Sequence, residues 1–427
     1  MKNKQNRAKI WFSRIAVCGA ALFSALTGAV HYYAQNLPDH YYLQADEPLT
    51  VSTVLPVTVR RSVSAAADLQ EAELRLFGVV PVKTVSLTTV SPVSIYVGGE
   101  PFGIRMLMDG VMVVSLCDIS TQEGAVCPAE RAGIQIGDII QAVNGAPVHG
   151  NAELQQAVSD AAGNAVSITL LRGDLERTVS VQPEYSAAAK RWQTGMWVRD
   201  STAGIGTVTY YYQAPGGQIQ FAGLGHAVCD PDTGEQIPLA SGDVIAVSVR
   251  DVISGAAGAP GELRGRFDTG AAVGVLQSNH AAGVFGFMHT LPQKQMQMPL
   301  GFRQDVKRGP AQIFTTIDGT SPQAYSVEIE EIRSNDAAMR NLIVRVTDPV
   351  LLEKTGGIVQ GMSGSPIIQN GRLIGAVTHV FVRDPTRGYG IFAENMYAQT
   401  ASQAVSADTA AGAQAAFGHS LPAAVSE

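Results

Sequence analysis

The sequence predicts a mainly β chain behind one N-terminal apolar segment. Short β-prone runs separated by glycine recur between Thr194 and Met396, among them Ile205–Tyr212, Val244–Val249, Ser326–Ile332 and Leu342–Thr347. Charged residues are only 16% of the 427, while glycine occurs 44 times, a composition for strands and turns rather than for charged helix surfaces. Residues 1–14 hold Lys2, Lys4, Arg7, Lys9 and Arg14 with no acidic residue, and Ile15–Val30 then carries no charge at all.

A chain of this length predicts two or three domains of ~100–200 residues each. An apolar content of 46% is ample for packed cores. The net charge of −7 speaks against nucleic-acid binding, which needs a basic face. Cys18, Cys117, Cys127 and Cys229 are far apart and form no CxxC pair, so neither a metal site nor a cofactor is expected. Cys117 and Cys127 could pair in an oxidising compartment, but free thiols are the expectation.

Taken in order, residues 1–35 read as a basic cytoplasmic stub and a signal anchor, with Trp11 and Tyr32-Tyr33 at the two membrane interfaces. Thr27-Gly28-Ala29 is a small-x-small cleavage site, but the flanking aromatics favour an uncleaved anchor. Everything after residue 35 is then extracytoplasmic. Residues 36–94, with Pro38, Pro48, Pro56 and the run Leu49–Leu55, read as a spacer and small β region exposed enough to be cut.

Residues 95–183 form the next unit. In Ala132–Gly145, Gly137-Asp138 is a turn, Ile139, Ile140 and Val143 make a strand, and Asn144-Gly145 is a tight hairpin turn. Leu154, Ala157, Val158 and Ala161 follow helical spacing, and Val166–Leu171 alternates as a strand. The stretch resembles the centre of a PDZ domain. The resemblance implies that Phe102, Gly103 and Ile104 cap the C-terminus of a bound peptide, which adds as an extra strand. That peptide is a partner's or the chain's own N-terminal segment. Tyr185–Trp192 reads as a short linking helix, residues 190–400 as one β-barrel or a pair, and 401–427 as a mobile tail.

Chemistry centres on Gly361-Met-Ser-Gly-Ser-Pro366. A serine hydroxyl on a glycine turn, beside free backbone N–H groups, supplies a nucleophile and an oxyanion hole together. Ser363 is the candidate nucleophile, with the amides of Gly361 and Ser363 as oxyanion donors. Ser365 is the alternative hydroxyl, disfavoured by the backbone restriction before Pro366. Of eight histidines, His226 in Gly223-Leu-Gly-His226 is best placed as a base, because two glycines open space before it. His280 reads as a loop residue and His379 as a buried, satisfied core or edge histidine. Asp348, at a strand end fifteen residues before Ser363, is the candidate carboxylate that orients the imidazole, with Asp200 as competitor. Asp348-Pro349 is also a common turn former.

Trp197–Thr207, Gly223–His226, Gly261–Gly265, Gly357–Pro366 and Gly375–Val380 together resemble the sporulation protein IVB peptidases of spore-forming bacteria. The resemblance implies a membrane-anchored, PDZ-containing serine endopeptidase with a chymotrypsin-like β-barrel domain. Its catalytic histidine and serine match His226 and Ser363, and its important aspartate matches Asp348. It further implies secretion from the forespore into the space before the mother-cell membrane, and self-cleavage near the N-terminus. The protein substrate is then a regulator of a membrane-embedded protease, whose cutting releases a late mother-cell sigma factor. One departure stands out. Chymotrypsin has Asp before its serine to receive a new N-terminus on activation, and Met362 cannot play that part.

Overall fold

The computed structural model describes residues 2–44, 49, 51, 53–62, 70–90, 92–122, 124–268, 270–292, 296–334 and 339–402. The tail expected to be mobile lies outside them beyond residue 402, as do parts of the segments expected to be cut, residues 45–48 and 63–69.

The N-terminal run is one helix, Lys2–Asn36. Its part Ala16–Asn36 is long and apolar enough to cross a membrane, and little of it is buried against the protein. Its end is not free. Tyr33 and Leu37 join the core of a four-stranded sheet made by His40–Gln44, Val57–Ser62, Gln70–Leu76 and Val80–Val90. Lys83 donates to the carbonyls of Ala34 and Leu37, which the ending helix leaves without partners. The expected spacer and small β region is thus a packed sheet clamped to the end of the N-terminal helix.

Two rings of strands follow. In the first, Pro101–Leu116 pairs with Leu239–Ile253, which pairs with Gly274–His280. Gly283–Met288, Ile219–Gly223 and Met196–Gln213 continue the series, and the last returns to pair with Pro101–Leu116. The second is a closed barrel of Gly309–Thr315, Gln323–Ile332, Leu342–Val346, Asp384–Phe392, Arg372–Phe381 and Pro366–Gln369. Ile313, Val327, Val344, Ile367 and Val377 fill it. Tyr210, Ala222 and Phe285 of the first ring meet Ile368, Ala376 and Ile391 of the second in a shared apolar seam.

The PDZ unit is built into the first ring. Its core holds Val111, Val113, Ile140, Leu154, Val158, Ile168 and Leu170. Its helix, Asn151–Asp160, buries Leu154 and Val158 as their spacing predicts. The Gly137-Asp138 turn places a buried carboxylate against Arg172, at 2.7 Å from Nε. A buried charge so paired and further bonded to the Gln135 amide is satisfied rather than costly.

Two sequence expectations need correction here. The PDZ boundary does not fall at residue 95. Pro101–Leu116 is one sixteen-residue strand whose first half pairs within the ring, while Val111 and Met112 pair with the PDZ strand Ile139–Val143. Met196–Gln213 leaves the PDZ unit in the same continuous way. Tyr185–Trp192 is not a helix but part of a hairpin, Glu184–Ser186 with Arg191–Gln193. The stretch is too short to hold a helix in isolation. Tyr185 and Trp192 instead make an edge-on aromatic pair across the strands, 5.5 Å between ring centres.

Candidate active site

His226 and Ser363 come from different rings and line one cleft of about 590 Å³, with Gly361, Thr378 and His379. His226 leaves the strand Ile219–Gly223 on a left-handed turn, Leu224 at φ 63° and Gly225 at φ 70°. At Gly225 a Cβ would come 2.9 Å from Thr378 of the second ring, so glycine is what lets the turn approach.

The His226 Nδ1 lies 2.8 Å from the carbonyl oxygen of its neighbour Ala227. A carbonyl can only accept, so Nδ1 carries the proton and Nε2 keeps its lone pair when the ring is neutral. Burial lowers the His226 pKa, opposed by the Ala227 bond. His379 stacks obliquely on it, 4.4 Å between ring centres at 36°. Desolvation, then His226, then Arg340, push His379 down to about 4. Both rings are therefore neutral at pH 7, and His226 is in the tautomer a general base requires. The Nδ1 partner, expected to be a carboxylate, is a backbone carbonyl.

Ser363 sits on the turn before the strand Pro366–Gln369, and its Oγ donates to the Thr378 carbonyl at 2.6 Å. Among the described residues, the amides of Gly361 and Ser363 have no hydrogen-bond partner. Ser365 is fully buried and donates to the Met362 carbonyl at 2.7 Å, so it is not the accessible hydroxyl.

The structure does not bring Asp348 to His226. Asp348 is the N-cap of the helix Pro349–Thr355, accepting from the amides of Val350 and Leu351, and its other oxygen takes the Ser326 amide. Asp followed by Pro at the first helical position is a helix-start signal, and that reading wins. Asp200 accepts from the Asn151 amide at the start of the PDZ helix. Asp230 does line the cleft. Against the upward push of burial, the amides of Thr233 and Asp232 and the Arg199 guanidinium hold its carboxyl below the usual range. Arg199 bridges Asp230 and Asp232, so that charge is already engaged.

Phe102, Gly103 and Ile104 do not form a carboxylate-capping loop. They are buried in a central strand, paired on one side with Ile205 and Gly206 and on the other with Ile245 and Ala246. That pairing leaves no edge for a peptide. A groove of about 310 Å³ lies elsewhere on the PDZ unit, between its helix at Leu154 and Val158 and the segment Trp192–Trp197. The expectation of a buried, satisfied His379 also needs correction. Its strand neighbours Val377 and Thr378 are buried, but His379 itself is exposed at the cleft. The run Leu373–Thr378 before it is buried without a break, and the sequence holds no signal that the burial ends at His379.

The family described as SpoIVB peptidase S55 matches residues 190–397, and a PDZ domain family matches residues 119–172. HhoA of Synechocystis sp., a protein named as a serine protease, is 50% identical over 56 residues. That is 13% of this chain, and the chain spans 14% of the length of that relative. The crystal structure of the PDZ domain of an SdrC-like protein from Listeria monocytogenes matches 21% of this chain and 87% of its own, at 19% identity and a TM-score of 0.18. With its cleft between two strand rings and a PDZ unit built into the first, the chain carries over residues 190–397 a serine peptidase unit similar to the SpoIVB S55 family.

Proposed function

We propose that the chain is a membrane-tethered serine endopeptidase whose base is His226 and whose nucleophile is Ser363. The observation that carries this reading is the neutral His226, fixed as the Nδ1–H tautomer by Ala227, in one cleft with a serine hydroxyl flanked by two free amides. Ser363 Oγ leaves the Thr378 carbonyl and attacks the substrate's peptide carbonyl, while His226 Nε2 takes its proton. The amides of Gly361 and Ser363 hold the oxyanion. The imidazolium then gives the proton to the leaving amine, and water hydrolyses the acyl-enzyme by the same route in reverse.

The family match over residues 190–397 supports a sporulation role: self-processing near the N-terminus, then cleavage of a regulator of a membrane-embedded protease from the forespore side of the intervening space. The apolar helix Ala16–Asn36 supports tethering at that membrane. The PDZ groove beside Leu154 and Val158 is the place for a partner peptide or the chain's own N-terminal segment.

Labelling of the folded protein with a fluorophosphonate tests the chemistry. Modification at Ser363 is expected. A folded protein that resists the reagent is a PDZ scaffold rather than a peptidase. Digestion of an unfolded test protein without sequence preference would replace the regulatory role with general protein quality control.

Asp348 gives a second test. Asn caps a helix about as well as Asp. Asp348→Asn is therefore expected to keep nearly wild-type turnover, whereas losing a carboxylate that orients the base costs ~10⁴. Asp348→Ala removes the cap and should lower stability by about 1 kcal/mol. A dead but well-folded Asp348→Asn enzyme would return Asp348 to the catalytic group.

A further inference from the structure

The nucleophile turn is held by hydrogen bonds to five successive carbonyls. The Gln360 carbonyl accepts from the Leu263 amide, and the Gly361 carbonyl from the Thr207 hydroxyl at 2.8 Å. The Met362 carbonyl accepts from both the amide and the hydroxyl of Ser365, and the Ser363 carbonyl from the Thr207 amide at 2.9 Å. Thr209 adds its hydroxyl to the Gly364 carbonyl at 2.7 Å. Thr207, Thr209 and Ser365 are all buried polar residues. In a trans peptide the N–H points opposite to the C=O of the same plane. Fixing the Gln360 and Met362 carbonyls thus turns the Gly361 and Ser363 amides the other way, and those are the two amides without partners.

We propose that Thr207 and Ser365 are positioning residues that hold the oxyanion hole open. The proposal rests on the peptidase reading of Ser363. Ser365 sets the peptide plane that carries the Ser363 amide. Thr207 locks the two neighbouring planes from the other ring, 154 positions away along the chain from Gly361. Met362 points its side chain into the core of the second barrel instead of pairing with an activated N-terminus. The hydroxyls of Thr207 and Ser365 supply from within the fold what that pairing supplies in chymotrypsin. The hole is accordingly present before any cleavage. What remains for activation is the release of the Ser363 hydroxyl from the Thr378 carbonyl.

The experiment is fluorophosphonate inactivation of the full-length protein, resolved into affinity for the reagent and rate of the chemical step. Thr207→Val and Ser365→Ala are expected to slow the chemical step by about 10- to 100-fold, because each leaves a donor misaimed rather than absent. Affinity should change little, and Thr207→Ser, which keeps the hydroxyl, should react close to the wild-type rate. A side chain that only stabilised the fold would lower the melting temperature and spare the chemical step of the folded fraction. Folded variants that react at the wild-type rate overturn the proposal. So does a Thr207→Ser protein as slow as Thr207→Val, or a loss confined to reagent affinity. If Thr207→Val fails to fold, Thr207→Ser and Ser365→Ala decide the matter. An unreactive wild type sinks the peptidase reading and this proposal with it, whereas a reactive wild type with equally reactive variants sinks this proposal alone.

Discussion

Ser363→Ala is expected to lower peptide-bond turnover by several orders of magnitude, on the scale of ~10⁶ for loss of a serine nucleophile. The size follows from what is left behind. His226 keeps its tautomer through the Ala227 carbonyl, and the two free amides stay where they are, so only residual catalysis by orientation and oxyanion binding survives. The fold should not suffer, since the half-buried Ser363 hydroxyl makes one bond, to the Thr378 carbonyl at the open cleft. The mature N-terminus is the most informative readout. If the chain processes itself, wild type should show a new N-terminus within or after the helix Lys2–Asn36, and Ser363→Ala should keep the original one. Identical shortened N-termini in both would assign processing to another protease. Turnover that persists in Ser363→Ala and vanishes in Ser365→Ala would move the nucleophile, against a Ser365 hydroxyl that is fully buried and engaged.

What could be read from the sequence divides by range. The apolar helix, the PDZ centre and the glycine-flanked serine turn are local signals: an uncharged run, a Gly137-Asp138 turn before a strand, a serine between glycines. Each appears in the structure where its residues place it. Ile205–Tyr212 and Val244–Val249 of the first ring are legible as β-prone runs, but Phe102–Ile104 reads as a loop and its strand goes unseen. Pro101–Leu116 is one uninterrupted strand that serves two units, so no turn or composition change marks the boundary. Asp348 carried two compatible signals, a strand end before the nucleophile and an Asp-Pro helix start. Only the position of His226, facing Ala227, separates them. Thr207 had no local signature at all. Its partners lie in the other ring, and a threonine in a strand ordinarily reads as β propensity alone.

Gly364→Ala should be among the most damaging single substitutions that leave the catalytic groups in place. Gly364 sits at φ 96°, a conformation that a Cβ disfavours. An added Cβ would lie 1.9 Å from the Thr207 carbonyl oxygen and 2.5 Å from the Leu224 nitrogen, both backbone atoms that cannot swing aside. Relief requires the nucleophile turn to back away from the first ring. That movement pulls against the Thr207 bonds to Gly361 and Ser363 and the Thr209 bond to Gly364, and against the turn that carries His226. A misplacement of ~1 Å costs on the order of 10² in rate. Backbone strain together with lost buried hydrogen bonds places the stability loss at about 4 kcal/mol. Gly371→Ala is the matched control. Gly371 is also left-handed, at φ 72°, but nothing lies within 4 Å of its added Cβ. Its loss should stay near ~1 kcal/mol, the ordinary cost of a left-handed alanine. Thermal melts and fluorophosphonate labelling of the two variants separate strain at the ring junction from the cost of φ alone. Equal melts and equal labelling would show that the two rings are not locked through Gly364, and that the nucleophile turn is held by the second barrel by itself.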